Sequence, residues 1–234
     1  MTQLSNWNTT MSQLSYINSF LRQCRMNDVE IKHVYDIGAC AGRWTHAMKD
    51  GPLFDCSFYM FEGNPIYKDV LATYNEFNYI GVLSSPGVDE VEFYNGNDTG
   101  DSYYKETTAH YENKTPVKLP ARTLQSVVDE YSLPQPDFIK IDTQGSELDV
   151  FSGAKNLVKN SKLIYMECPV IEYNKGAPKI TQYLEFMKGM KFIPFDIFEI
   201  HRAEGVLLQI DIMFIQEKTH KKLFGDIPHI RPFA

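Results

Sequence analysis

Asp36, Gly38 and Gly42 lie in the stretch His33-Val34-Tyr35-Asp36-Ile37-Gly38-Ala39-Cys40-Ala41-Gly42-Arg43-Trp44-Thr45. Residues 34–37 are apolar enough for a short buried strand, and Arg43 begins a helix. Between them, glycines permit a tight turn and leave room for a ligand against the backbone. Free N–H groups and the positive end of the helix dipole face whatever occupies that turn. A nucleotide-bearing ligand is the natural occupant. The spacing D-x-G-x-x-x-G differs from the G-x-G-x-x-G of dinucleotide sites, its turn being one residue more open. An ordinary strand-to-helix turn that happens to need two glycines is the plain alternative. Further acids, Glu62, Asp142 and Glu167, stand where other apolar runs end. A carboxylate so placed can accept ligand hydrogen bonds or take a proton within hydrogen-bond reach.

An alternation of strands and helices must position these groups. Strands are expected over 34–37, 56–61, 79–83, 137–141 and 163–166. Met11, Leu14, Ile17, Leu21 and Cys24 recur at helical spacing and predict a helix over 11–26. Further helices are expected over 43–50, from Pro65 (capped by Asn64) to about 76, over 123–131, from 147 to about 159, and over 180–190. Ser146 and Asp149 match a capping box for the fourth of these. The alternation implies right-handed crossovers and a parallel sheet, with its ligand beyond the carboxyl ends of the strands. Residues 192–198 and 207–215 are joined by too short a turn for a crossover helix, so the sheet ends in an antiparallel pair. The reading is one domain over 1–234, with a helical cap at 1–30, an inserted flap at 85–121 and a basic tail at 217–234. In the flap, 88–94 alternates like an exposed strand, 117–119 pairs back with it, and Tyr103, Tyr104 and Tyr111 suggest a loop that packs on something.

Bulk composition narrows the partners. The chain has 234 residues, 43% hydrophobic and 23% charged, with a formal net charge of -7. That balance argues against a nonspecific nucleic-acid binder. No apolar run approaches a membrane span, and residues 1–10 lack a secretory pattern. Cys24, Cys40, Cys56 and Cys168 form no C-x-x-C pair, which fits free thiols in a cytoplasmic protein. No H-x-x-x-H or paired-acid spacing supports a metal site, and His46, His110 and His201 are scattered.

The α/β, Rossmann-like order, with a mostly parallel seven-stranded sheet, a terminal hairpin and helices on both faces, resembles the class I methyltransferases. Two motifs narrow the likeness. Phe61-Glu62-Gly63-Asn64-Pro65 is close to the F-E-P-N-P of the FkbM family. Asp137-Phe138-Ile139-Lys140-Ile141-Asp142-Thr143-Gln144-Gly145-Ser146-Glu147 is similar to that family's K-I-D-x-E-G-x-E signature. Gly63 replaces the family's proline, and Gln144 stands where many members carry Glu. The resemblance runs from about 34 to 215. It implies S-adenosyl-L-methionine as cofactor and O-methylation of a hydroxyl on a small molecule or glycan.

Under that reading Glu62 accepts the ribose hydroxyls, beside Gly63 and Asn64. Asp36 orders the turn and meets the methionine end of the cofactor, directly or through water. Gly38, Ala39, Cys40, Ala41 and Gly42 pack beside it, and Ser84 lies near the adenine. Asp142 binds the cofactor ammonium, acts as base or, with Glu167, supplies an oxygen ligand to Mg²⁺. Glu167 is a second base candidate, and His110 a third because it lies in the flap. Ser102, Tyr103 and Tyr104 close on the acceptor, and Glu147 is read as a first-turn helix acid. In-line methyl transfer requires no covalent enzyme intermediate, so no Ser or Cys nucleophile is sought. The rivals are a nicotinamide-linked oxidoreductase on a similar sheet and a non-catalytic binding module.

Overall fold

The computed structural model describes residues 11–96, 100–109 and 111–225. In chain order the elements are α1 (Met11–Met26), β1 (His33–Ile37), α2 (Arg43–Lys49), β2 (Ser57–Glu62), a 3-10 turn (Pro65–Tyr67), α3 (Lys68–Leu71), β3 (Phe77–Ile80), β4 (Val82–Leu83), β5 (Glu90–Phe93) and β6 (Val117–Arg122). There follow α4 (Leu124–Glu130), β7 (Phe138–Ile141), α5 (Glu147–Ser152), α6 (Lys155–Asn160), β8 (Leu163–Pro169), α7 (Ile180–Gly189), β9 (Phe192–Ala203), β10 (Val206–Gln216) and α8 (Glu217–Phe224).

Seven strands form one sheet in the order β3-β2-β1-β7-β8-β10-β9. The first five are parallel, and β10 runs antiparallel to both neighbours. This is the class I methyltransferase arrangement. Alternation along the central strands divides the core. Val34, Phe138, Leu163, Met213 and Ile215 pack with Ile17, Phe20, Leu21 and Met48 of α1 and α2. Tyr35, Ile37, Ile139, Ile141, Ile164 and Met166 pack with residues of α4 to α7 on the other face. β4, β5 and β6 make a separate small sheet, with β6 between the other two. No helix of the described residues is long and apolar enough to cross a membrane.

Several boundaries differ from the sequence expectation. The long helix from Pro65 shrinks to the 3-10 turn and α3. Asn64 does cap it, accepting from the Ile66 N–H. The chain then tightens, with Thr73 and Tyr74 donating to Val70 and Leu71, and Phe77 is taken by β3. The strand expected over 79–83 breaks at Gly81, whose N–H donates to the Glu62 carbonyl, and β4 leaves for the small sheet. The helix expected over 147–159 splits at Gly153, where a Cβ would stand 2.8 Å from the Ser84 carbonyl oxygen. Its capping box is not formed. Ser146 Oγ donates to the Thr143 carbonyl, and Glu147 accepts instead from the N–H groups of Thr143 and Gly145 in the preceding turn. β8 continues to Pro169, so Glu167 lies within a strand. The terminal hairpin turns on Glu204-Gly205 alone, both with positive φ, which puts His201 in β9.

Candidate active site

Asp36 and Lys140 are register partners on adjacent strands. Each sits two residues beyond an apolar side chain, Val34 or Phe138, that faces α1 and α2, so both point to that side. There Thr45 Oγ1 of α2 donates to Asp36 Oδ2 at 2.7 Å, and Lys140 Nζ stands 3.2 Å from Asp36 Oδ1. Lys140 also donates to the Gly38 carbonyl at 2.8 Å. Burial pulls the lysine pKa down, but Asp36 and Asp142 outweigh it and hold the group charged. The structure therefore keeps Asp36 beneath the turn, fully buried, and the cavity described below does not reach it. Lys140 carries no role in the sequence reading. The signal was the K of the K-I-D stretch, which a single sequence offers as one more strand residue.

The turn itself is fixed by protein contacts. Gly38 has φ +76°, and a Cβ there would lie 1.8 Å from the Asp142 carbonyl oxygen. Gly42 has φ +73°, with the Tyr74 ring 2.9 Å from the position a Cβ would take. Thus the space these glycines leave is filled by β7 and by Tyr74, not by ligand. The Tyr74 hydroxyl also donates to the Ala41 carbonyl at 3.0 Å.

Above the turn opens a cavity of about 550 Å³, lined by Gly38, Ala39, Cys40, Ala41, Glu62 and Gly63 and bounded further round by Asp142 and Tyr103. That volume falls in the range of about 300–1,000 Å³ usual for small-molecule sites. Gly42, Asn64, Ser84, Tyr104 and Glu167 are not part of this lining. Glu62 Oε2 accepts from the Cys40 N–H and Oε1 from the Asn64 N–H, both at 2.7 Å. A carboxylate has about four acceptor positions, so each oxygen keeps one for a ligand. Burial raises the Glu62 pKa to about 7, against the lowering effect of those two N–H groups. Cys40 has positive φ, and burial raises its thiol pKa. The thiol is thus a poor nucleophile at neutral pH.

Asp142 reaches the cavity at the end of β7. Its Oδ1 accepts from Gln144 Nε2 at 2.8 Å, and its Oδ2 lies 4.0 Å from Lys140 Nζ. Gln144 is buried with φ 55° and also donates to both oxygens of Glu167 at 3.2 and 3.3 Å. Glu167 further accepts from Tyr173 at 2.8 Å and from Gln209 Nε2. It is buried behind Gln144, and burial, with Asp142 and Asp211 nearby, raises its pKa well above the carboxylate range. An acid so enclosed holds Gln144 in place. Its neighbour Glu147 is also fully buried, accepting from the N–H groups of Thr143 and Gly145 and from Tyr183.

The segment over the cavity is tied down on two sides. Asn64 Nδ2 donates to Asp101 Oδ2 at 2.6 Å, and the Tyr111 hydroxyl donates to Asp101 Oδ1 at 2.8 Å. The hydroxyls of Tyr103 and Tyr104 both donate to Asp149 Oδ2 of α5, at 3.0 and 2.8 Å. Ser102 is buried and donates to the Thr143 carbonyl, and Ser84 donates to the Tyr103 hydroxyl at 3.4 Å. Tyr103 thus stands between Ser84 and α5 and lines the cavity, while Tyr104 packs behind it. His110 lies outside the described residues.

The cavity extends past Arg43 and Trp44 to Tyr165 of β8, Glu199 of β9 and Asp211 of β10. None of these is singled out by the sequence reading. Asp211 is a lone charge inside the apolar run 207–215, which is the one signal the sequence offers for it. Burial and the nearby Asp142 raise its pKa to about 7.

The family model described as "Methyltransferase FkbM domain" matches residues 36–194. No curated protein matches the chain. Among solved structures, similarity is found to methyltransferase FkbM from Methylobacillus flagellatus KT, 15% identical with a TM-score of 0.46, over 79% of this chain and 43% of that one. This chain thus spans less than half of that protein's length. Similarity is also found to a precorrin-6y C5,15-methyltransferase from Geobacter metallireducens GS-15, 12% identical with a TM-score of 0.47, over 93% and 94% of the two chains. A third is the magnesium protoporphyrin IX methyltransferase of Synechocystis PCC 6803 with bound SAM, 8% identical with a TM-score of 0.46, over 92% and 86%. Since the family match alone takes in well over half of the sequence, from the acid beneath the glycine turn into β9, the protein belongs to the FkbM methyltransferase family.

Proposed function

We propose that the protein binds S-adenosyl-L-methionine and methylates a hydroxyl oxygen of a small-molecule or glycan acceptor. The observation that carries this reading is Glu62, a carboxylate at the end of β2 that faces the cavity with acceptor positions unused. Two ribose hydroxyls are the donors it suits. The cavity's charge supports the reading as well. Asp101, Asp142 and Glu199 line it beside Arg43, while Lys140 is paired with Asp36, a balance that favours a cationic ligand such as a sulfonium.

When bound, the cofactor supplies an electrophilic methyl group for in-line displacement by the acceptor oxygen. The backbone of Gly38 to Ala41 packs against it, Glu62 orients it, and Lys140 holds the turn in place. Asp142 faces the cavity and takes the acceptor's hydroxyl proton at a carboxylate oxygen. Glu167 acts through Gln144 as a positioning residue for Asp142. Tyr103 and the segment around it cover the acceptor. All four cysteines are free, which suits a reducing compartment and a cytoplasmic enzyme.

Calorimetric titration with S-adenosyl-L-methionine and, separately, with NAD tests the ligand. Binding of the former alone, lost in Glu62→Ala, is expected. Release of S-adenosylhomocysteine across a panel of hydroxylated metabolites and glycans then tests the reaction. Indifference to S-adenosyl-L-methionine at millimolar concentration would refute the proposal.

A further inference from the structure

Glu199 and His201 are two residues apart on β9, and Glu199 is the register partner of Asp211 on β10. Strand alternation and hairpin pairing therefore bring the three side chains to one face. His201 Nε2 lies 3.2 Å from Glu199 Oε2 and 3.7 Å from Asp211 Oδ1, and one donor atom from each residue falls within 4.8 Å of the others. Asp211 is only 7% exposed. Its Oδ2 accepts from the Tyr165 hydroxyl at 2.9 Å, whereas its Oδ1, on the side of the cluster, is buried with no hydrogen-bond partner among the described residues. A buried carboxylate oxygen left without a donor is destabilising unless a ligand satisfies it.

We propose that Glu199, His201 and Asp211 bind one first-row transition-metal dication, of the Zn²⁺ or Mn²⁺ type, in the wall of the cavity. Donors about 2.0–2.2 Å from a shared metal stand roughly 3.0–3.5 Å apart, and His201 Nε2 stands 3.2 and 3.7 Å from the two carboxylate oxygens. One imidazole with two carboxylates selects a transition dication over Mg²⁺ or Ca²⁺, which prefer all-oxygen sets. The Tyr165 hydroxyl fixes the carboxylate so that one oxygen is free to ligate, as hydrogen-bond partners of metal ligands commonly do. Glu199 and Asp211 both line the cavity, so the ion's open coordination positions face an oxygen-bearing ligand there. The site does not depend on the methyl donor. Sequence spacing conceals it, because Asp211 joins the other two only through the hairpin register.

The test is metal titration of the full chain after dialysis against a chelator. Calorimetry with Zn²⁺ and with Mn²⁺ is expected to give one ion per chain, bound more tightly than Mg²⁺. His201→Ala and Glu199→Gln should each weaken it by about tenfold or more. Glu199 is only partly buried and its glutamine variant is nearly isosteric, so that protein should remain folded, as circular dichroism will report. Co²⁺ provides a second readout, a visible absorption band present in the parent and lost in both variants. Equal affinity in parent and variants, or no Zn²⁺ or Mn²⁺ binding below millimolar concentration, overturns the proposal. The trio would then be a charged histidine held between two carboxylates.

Discussion

Lys140 Nζ lies 3.2 Å from Asp36 Oδ1 and donates to the Gly38 carbonyl at 2.8 Å, so one ammonium joins the ends of β1 and β7 to the turn between β1 and α2. Lys140→Met leaves Asp36 buried without its ion-pair partner. Breaking a buried pair from one side typically destabilises by about 3–5 kcal/mol. Urea unfolding of Lys140→Met is expected to show a loss of that size; a loss under about 1 kcal/mol, the range of a surface pair, would contradict the assignment.

Gly38→Ala and Gly176→Ala make a matched comparison. Both glycines have positive φ, but a Cβ at Gly176 meets nothing within 4 Å, whereas at Gly38 it falls 1.8 Å from the Asp142 carbonyl oxygen. The backbone conformation alone destabilises an alanine by about 1–2 kcal/mol. Gly176→Ala should lose that much and no more. Gly38→Ala should lose clearly more and weaken binding of S-adenosyl-L-methionine, because β1 and β7 must part. Equal losses in the two variants would show that the close approach has no energetic weight.

Glu62 carries a pH signature. Burial raises its folded pKa to about 7, above the ordinary value of 4.5. Between those values the folded form keeps the proton that the unfolded form has released, so this group's contribution to stability is present below pH 4.5 and is lost as pH rises through 7. Ligand binding runs the other way, since an ionised carboxylate is the stronger acceptor for ribose hydroxyls. Affinity for S-adenosyl-L-methionine is expected to rise from pH 6 to pH 8, and Glu62→Gln to bind more weakly with a flatter profile. Asp211 titrates in the same range, so the difference between parent and variant is the quantity to measure. An unchanged pH profile in Glu62→Gln would remove Glu62 from the site.

Tyr103 and Tyr104 both donate to Asp149 Oδ2. Replacing both with Phe removes two hydrogen bonds to a carboxylate, each contributing about 1.5 kcal/mol or more. The covering segment should loosen from α5, raising KM for the acceptor by about tenfold with little change in cofactor affinity. If cofactor affinity fell and acceptor KM did not move, the segment would belong to the cofactor side.

What the sequence made legible follows from how local each signal is. The glycine turn, the acids ending β1, β2 and β7, and the terminal hairpin all announce themselves within a few residues. Roles that depend on pairing between distant strands do not. Lys140 looks like one more strand residue until β1 is laid beside it, and Asp211 is an isolated charge until β9 sets Glu199 and His201 opposite. The helix expected through Gly153 shows the same limit in reverse. Its sequence favours a single helix, yet the Ser84 carbonyl from another segment claims the space and divides it into α5 and α6. Glu167 reads as a strand-end acid only while β8 is thought to stop at 166.

The contact between Gly38 and the Asp142 carbonyl has a wider consequence. Two neighbouring strands end against each other with no side chain between them, so the floor of the cavity is inherited from the alignment of the sheet. Descendants of this chain can exchange the covering segment or redecorate the hairpin and so meet different acceptors. They cannot shift the floor without re-laying the strands that carry it, and changes of taste should therefore accumulate in the walls and roof.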